Sequence, residues 1–448
     1  MKLYPDSKVY VFCPGNIKTG GPESLHQLAS QLISLGVQTY MVYTKINDDL
    51  FNPEDPVHDD YKKYHVPYTF DLENFERNIK IIPETITSEL YAGKKLRRVL
   101  WWMSVNNYFK NIIKIFELFL KKPFIRPISN FFTFFDEGAN VEHWFKSEYA
   151  RQFLELNGVP AEKLHHVESY MSQTFLSRAA HIDLSAKKNL VAFNPRKGFE
   201  NTRQLIGLAP DVEWRPIDNM TPEQVQELLA SAKIYIDFGE HPGKDRLPRE
   251  AILSGCVVIT GRRGAAANDV DYNIPAEFKF DEQTTSPLQV IEKIHEVFEN
   301  FSEAHAVQKS FREKELNARK NFAAQVAEAF EIKNLPLPAV AFTQNVREKI
   351  SLLAQNFPES KRFSGSFIID DEVAAEKNPR ENLVRIQNRN FLHVNNGFAE
   401  VITSEDAKFL YQEGRITKFA LFEPTDAELD ALKNFYGAND DDIIITEP

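Results

Sequence analysis

The chain has 448 residues, enough for two or three domains at roughly 150 residues each, and its 43% hydrophobic content with mixed charge describes a globular protein with a sizeable core. A formal net charge of −11 argues against a general nucleic-acid surface, and the two cysteines, Cys13 and Cys256, lie in apolar runs with neither a disulfide framework nor zinc-ligand spacing. The first residues lack the basic start and apolar core of a signal peptide, and no run of roughly 18 apolar residues could span a bilayer, so a cytoplasmic protein is expected.

Lys8 to Pro14, KVYVFCP, reads as a first parallel strand. A turn from Gly15 to Gly21 follows. Glu23 to Leu35 then has helical spacing, with Leu25, Leu28, Leu32 and Leu35 on one face, and Val37 to Tyr43 makes the next strand. The turn lacks GxGxxG. Even so, Gly20 and Gly21 at a helix amino terminus would let backbone N–H groups approach a phosphate; a plain tight turn is the alternative. Asn47 to Phe75, rich in Asp, Pro and Tyr, reads as an insertion or an acceptor-side loop.

From Lys94 to Phe135 the chain becomes basic and aromatic, with nine Lys or Arg against one acid, Glu117. Val99 to Ser104 is expected as a strand and Tyr108 to Leu120 as a helix with Lys110 and Lys114 beside its apolar face. Such a face suits peripheral contact of residues 94–126 with an anionic leaflet, each near-surface cation contributing about 1 kcal/mol; an ordinary packed helix with a solvated side is the competing reading. Ser147 should cap a helix through Leu156, ended by Asn157-Gly158. An interdomain link is expected near Phe175 to Lys188.

The second half opens with a strand from Asn189 to Asn194 and a turn carrying Arg196, Lys197 and Gly198. Val212 to Ile217 and a helix from Pro222 to Ala230, capped by Thr221, come next. Two β-branched runs, Ile234 to Phe238 and Cys256 to Thr260, then flank a polar loop and a helix expected to begin near Pro248 and to end at Gly255. That loop and helix carry Glu240, His241, Lys244, Asp245, Arg246, Arg249 and Glu250 within eleven residues. The βαβαβαβ order implies a doubly wound sheet, whose ligands bind at the carboxyl ends of the strands. A solvated turn between core strands is the bland alternative.

GRRGAAAND after Thr260 is a further cationic turn, and Pro287 to Phe330 is helical by period. LPLPAVAF beyond Leu335 reads as a Pro-rich linker. The tail, 340–448, is expected as a separate small α+β interaction module, with a helix at Asn345 to Gln355, strands around Phe367 and Phe391, and helices at Ser404 to Gln412 and Thr425 to Phe435.

The segment PREAILSGCVVIT resembles the LPxxEAMAxGxPVV segment of retaining GT-B glycosyltransferases, VLWWMSVNNYF is similar to a WWLSVDNYF-like segment of bacterial surface-polysaccharide transferases, and SEYARQFL is similar to a segment closing the family's amino-terminal half. The resemblance implies an α/β GT-B fold: two Rossmann-like domains facing a cleft, 1–175 for acceptor and 189–333 for donor, plus the module at 340–448. It implies transfer of a sugar from a nucleoside diphosphate sugar, the co-substrate, to a hydroxyl of a glycan precursor, with no cofactor and no metal. By the same match Gly20 and Gly21 face the donor diphosphate, Arg196 and Lys197 hold it, and Glu250 holds the ribose. His241, Lys244 and Glu240 are the candidate catalytic residues around donor phosphate and sugar, with Arg246 as a further donor-binding residue. The position eight residues before Glu250, where the family carries its first acid, is Pro242, and Glu240 is the nearest acid.

Three other readings stay open. A DNA-modifying glycosyltransferase would need a strong basic acceptor surface, which the net charge disfavours. A nucleotide-sugar epimerase would turn over donor without acceptor. A non-catalytic sugar- or nucleotide-binding subunit would bind donor without turnover.

Overall fold

The computed structural model of the protein describes residues 1–45, 51–121, 131–135, 140–332, 340–343, 367–377, 383–394, 397–422 and 424–446. They form two compact units, residues 1–81, 93–97 and 330–448 in the first and residues 82–92 and 98–329 in the second.

Unit 1 begins with β1 (Lys8–Pro14), the helix Gly20–Ser34, β2 (Gln38–Thr44) and β3 (Ile79–Pro83), of which the first three residues belong to this unit. The strands are parallel in the order β2-β1-β3. Six of the seven residues of β1 are buried, as its continuous apolar run predicts for a parallel strand covered on both faces. Because the chain leaves β1 to one side for β2 and returns to the other side for β3, the turn after β1 sits at a reversal of strand order.

Unit 2 contains β4 (Arg97–Trp102), β5 (Val141–Phe145) and β6 (Leu164–His166), parallel and in that order. The tryptophan pair is core: Trp101 and Trp102 are fully buried, their indoles donating to the Val167 carbonyl and to His143 Nδ1, each at 3.0 Å. The helix Val105–Lys121 follows β4, and Ser147 caps the helix Glu148–Leu156 by accepting from the Ala150 amide. The expected link at Phe175–Lys188 holds ordered structure instead, a helix at Gln173–Ala179 and a short 3-10 turn at Leu184–Ala186, because Phe175 is drawn into the core.

The second sheet of unit 2 is formed by β7 (Lys188–Phe193), β8 (Glu213–Pro216), β9 (Ala232–Asp237), β10 (Val257–Gly261) and β11 (Lys279–Phe280), all parallel, in the order β11-β10-β9-β7-β8. This is the doubly wound sheet expected from the element order. Ile234, Ile236, Val257 and Ile259 are fully buried in it, each contributing about 1.5–3 kcal/mol of transfer free energy. Helices at Phe199–Leu208, Pro222–Ser231, Arg246–Leu253 and Pro287–Glu299 connect or flank the strands. One boundary differs from expectation. The helix begins at Arg246 with Asp245 as its N-cap residue, so Glu250 stands about half a turn further in than the Pro248 start implied.

Unit 1 resumes with a third sheet built from β12 (Val340–Phe342), β13 (Phe367–Ile369), β14 (Leu383–Ile386), β15 (Arg389–Val394), β16 (Gly397–Ile402), β17 (Lys418–Phe422) and β18 (Ile443–Thr446). The order is β14-β15-β16-β13-β12-β17-β18, with β16 to β18 parallel in space and β14-β15-β16 an antiparallel meander. Gln387 and Asn388, both at positive φ (51° and 59°), make the two-residue β14–β15 turn, the backbone such hairpins require. The strands near Phe367 and Phe391 and the helix Ser404–Gln412 stand where the sequence placed them; the helix expected at Asn345 to Gln355 lies outside the described residues. The second half of the Pro-rich stretch is β12 rather than linker.

The expected division at 1–175, 189–333 and 340–448 is not how the chain packs, since the C-terminal sheet shares a unit with the first 81 residues. His65 sits between Glu400, 2.6 Å from Nδ1, and Asp406, 3.3 Å from Nε2. The Arg415 guanidinium donates to the carbonyls of Tyr64 and His65, and Gln387 makes two hydrogen bonds to the Tyr68 backbone.

Candidate active site

In unit 2 the chain leaves β7 in one direction for β8 and then crosses to the other side for β9, which puts the strand-order reversal between β7 and β9. The loops leaving their carboxyl ends, 194–198 and 238–245, lie against each other there. A Cβ on Gly198, at φ 59°, would come within 2.3 Å of the Phe238 carbonyl carbon, and one on Gly239 would come within 2.4 Å of Lys197 Cβ. Only glycine permits that approach. Lys197 reaches across to Asp245 at 2.6 Å, while the largely exposed Arg196 rests on Asp218 at 3.0 Å.

Both helices that start in these loops, Phe199–Leu208 and Arg246–Leu253, begin without a side-chain cap, whereas Pro222–Ser231 and Pro287–Glu299 carry full capping boxes. Gly198 has no side chain to offer, and the Asp245 carboxylate is engaged by Lys197. Two sets of helix-terminal N–H groups and two cations therefore gather at one sheet edge, the arrangement that favours an anion.

Glu250 is buried and accepts from Arg246 Nε at 2.5 Å, one turn earlier on the same helix. Glu240 is exposed and lies 3.6 Å from Arg263, whose other nitrogen meets the half-buried Glu282 at 2.5 Å. The cationic turn after β10 thus reaches the β9 loop.

His241 and Lys244 are placed differently from what a ligand-facing loop implies. His241 is fully buried, with Nδ1 3.2 Å from the Tyr272 hydroxyl and 3.4 Å from Asp245, and Nε2 3.8 Å from Asp237. Burial lowers its pKa, but Asp245 and Asp237 outweigh burial and leave it raised. Lys244 is buried in an ion network with Glu168 and with Glu315 at 3.0 Å; Arg249 joins Glu315 at 2.5 Å and Ser169 at 2.7 and 3.1 Å. Burial brings the Lys244 amine down to about 8, and the Glu315 carboxyl, against its own burial, is held low by Arg249 and Lys244. The loop is also anchored to the end of β4: the Val105 amide donates to the Pro242 carbonyl at 3.2 Å, and Gly243 lies so close to the Met103 carbonyl that a Cβ would stand 2.6 Å away.

Beside this network are two groups that the sequence did not single out. Burial raises the Glu84 carboxyl to about 7, and burial aided by Arg249 and Lys244 lowers the Lys146 amine to about 7. Glu84 accepts from the Met103 amide at 3.0 Å. Lys146 stands just before the SEYARQFL segment, and a single lysine before a helix cap carries no signal of burial.

Gly20 and Gly21 belong to unit 1, where they are the first two residues of the helix Gly20–Ser34. Its N-cap Thr19 makes no side-chain cap, and a Cβ on Gly20 would meet nothing within 4 Å, so packing does not demand glycine there. Among the described residues no group of three or more His, Cys, Asp or Glu is placed to hold a metal ion.

No protein-family model and no curated protein matches the sequence. Solved structures similar in fold include HepE of Anabaena in complex with UDP and glucose, at 10% identity over 72% of this chain and 97% of that one, with a TM-score of 0.43. The sucrose-phosphate synthase of Thermosynechococcus elongatus is 13% identical over 72% of this chain and 98% of its own, with a TM-score of 0.48. WaaG, a glycosyltransferase involved in lipopolysaccharide biosynthesis, is 13% identical over 72% and 98%, with a TM-score of 0.42. Likeness at this level concerns fold and carries no argument about activity.

Proposed function

We propose that the chain is a glycosyltransferase that moves a sugar from a nucleoside diphosphate sugar to a hydroxyl acceptor of a glycan precursor. The observation that carries this reading is the convergence at the β7–β9 reversal of Arg196, Lys197 and two helix amino termini without side-chain caps. A diphosphate needs such a setting, because cleavage of the sugar bond adds charge to the leaving group. Arg196 and Lys197 would then hold the diphosphate without a metal, and Glu250, with Arg246 beside it, would take the ribose hydroxyls. His241 and Lys244 we assign to positioning: their contacts hold the 238–245 loop in place. Glu240, exposed at the loop tip, is left as the acid nearest the transferred sugar.

A thermal-shift screen across UDP-, GDP-, CMP- and dTDP-sugars tests the donor class, and calorimetry then tests the residues. Glu250→Ala removes charge-assisted hydrogen bonds worth roughly 1.5–3 kcal/mol each and should weaken donor binding accordingly. Replacing both Arg196 and Lys197 by Ala should lower kcat more than it raises the donor KM. Wild-type behaviour of these variants would remove the site from this sheet edge. The burial of His241 and Lys244 favours one competing reading, a subunit that binds donor without turning it over; donor binding with no product across a range of acceptors would establish it.

A further inference from the structure

A cavity of about 290 Å³ lies in unit 1 between the segment 55–68 and the C-terminal sheet. Tyr43, Tyr61 and Tyr68 supply aromatic wall, with the Tyr43 and Tyr68 rings edge to face at 5.8 Å. The β14–β15 turn closes the other side, and Gln387 pins it to the Tyr68 backbone, with N–H to Oε1 at 3.2 Å and Nε2 to O at 2.5 Å. Two polar groups on the lining, the half-buried Tyr68 hydroxyl and the exposed Asn388 carboxamide at the mouth, make no side-chain hydrogen bond among the described residues.

Size and charge narrow the ligand. The volume falls at the small end of ligand pockets, a size suited to a sugar ring. The carboxylates Asp55, Asp59, Glu400 and Asp406 line it with the cations Lys62, Lys63 and Arg389. These groups are largely paired with one another: Lys62 meets Asp55 at 2.8 Å and Asp59 at 2.7 Å, and Arg389 meets Glu400 at 3.2 Å. With four carboxylates against these three cations and His65, the lining is close to neutral overall, and Lys63 lies over the Phe409 ring at 4.7 Å; fixed carboxylate and amide groups beside aromatic side chains match a ring with hydroxyls at its edge and C–H groups on its face.

We propose that this cavity, which exists only because the C-terminal sheet packs on the segment 55–68, is a binding site for an uncharged carbohydrate. It shares no residue with the nucleotide-sugar site proposed in unit 2. The two readings therefore fail separately, since binding here needs no nucleotide.

The test uses the full chain and a fixed set of probes, glucose, galactose, mannose, N-acetylglucosamine, rhamnose and cellobiose, by saturation-transfer NMR and calorimetry without nucleotide. At least one should bind with a Kd of about 1 mM or tighter. Tyr68→Ala should weaken it at least about tenfold while the melting temperature holds, because Tyr68 ties to Gln387 through its backbone. Asn388→Gly, which keeps the positive-φ turn and removes only the carboxamide, should weaken binding in the same direction. No binding by any probe at about 10 mM, or equal binding in both variants, overturns the proposal. Displacement of the bound sugar by inorganic phosphate overturns the neutral-ligand chemistry.

Discussion

The four charged groups Glu168, Lys244, Arg249 and Glu315 are closed off from water, and each depends on the others to offset its desolvation. Glu315→Gln would leave Lys244 and Arg249 with one carboxylate between them. Breaking a buried pair costs roughly 3–5 kcal/mol, so urea unfolding should show a loss of that order. Lys244→Met makes the sharper distinction: if the lysine positions the loop, stability falls along with turnover, and a variant that loses turnover while keeping full stability would return Lys244 to a catalytic role. His65 supports a pH prediction. Burial lowers its pKa, yet Glu400 and Asp406 outweigh burial and leave it raised, so its stabilisation is complete below about 6.5 and fades as pH rises through the higher folded value. Glu400 works in the opposite sense: although burial opposes it, Arg389 and His65 bring its pKa to about 2, so its share is present above about 4.5 and is lost as pH falls from there through about 2. Thermal melts should therefore peak between about pH 4.5 and 6.5 for this contact, and His65→Gln should flatten the alkaline side.

Among the elements, the helix Val105–Lys121 carries exposed apolar side chains along one side, although Phe109 also meets the Phe153 ring edge to face at 5.5 Å. Phe109, Ile113 and Leu120 are 45%, 56% and 78% exposed at spacings of four and seven residues, and Lys110 is exposed next to them. The basic stretch 94–126 was expected to meet either solvent or an anionic leaflet, and residues 122–126 lie outside the described residues. An exposed apolar stripe edged by lysine is what the leaflet reading requires, and vesicle binding tests it. Sedimentation with vesicles rich in phosphatidylserine should carry the protein down, less so at high salt, and Phe109→Glu with Ile113→Glu should abolish it; equal sedimentation of the double variant would return the helix to an ordinary solvated role. No helix among the described residues is long and apolar enough to cross a membrane.

For the whole molecule, the position of the C-terminal sheet changes the expectation for truncation. A Pro-rich linker before a separate module implies that a chain ending near Leu335 folds and binds donor. Instead, His65, Tyr64 and Tyr68 each make contacts with residues beyond 380, and Tyr64 meets Phe409 edge to face at 5.0 Å. Removing those partners strands a buried imidazole and several aromatic rings. The truncated chain should melt well below the full one and aggregate, and a monodisperse truncation with an unchanged melting temperature would restore the separable module.

The local pattern of this sequence determined its parallel strands. β1, β7, β9 and β10 are short apolar runs ended by proline, glycine or charge, which reads the same in any context because a strand covered on both faces must be apolar throughout. It also determined which loops carry charge, and Arg196, Lys197 and Gly198 stand where that pattern placed them. What a charged residue does was not legible. Lys244, Arg246 and Arg249 look alike in sequence, yet Arg246 is partly open beside Glu250 while the other two are sealed among Glu168 and Glu315, both more than sixty residues away in the chain. The same holds for His65 and Glu400. A hydrophobic run declares its burial locally, since water rejects it wherever it lies; a charge can be buried only where an opposite charge meets it, and which distant residue that is was decided by the tertiary structure alone.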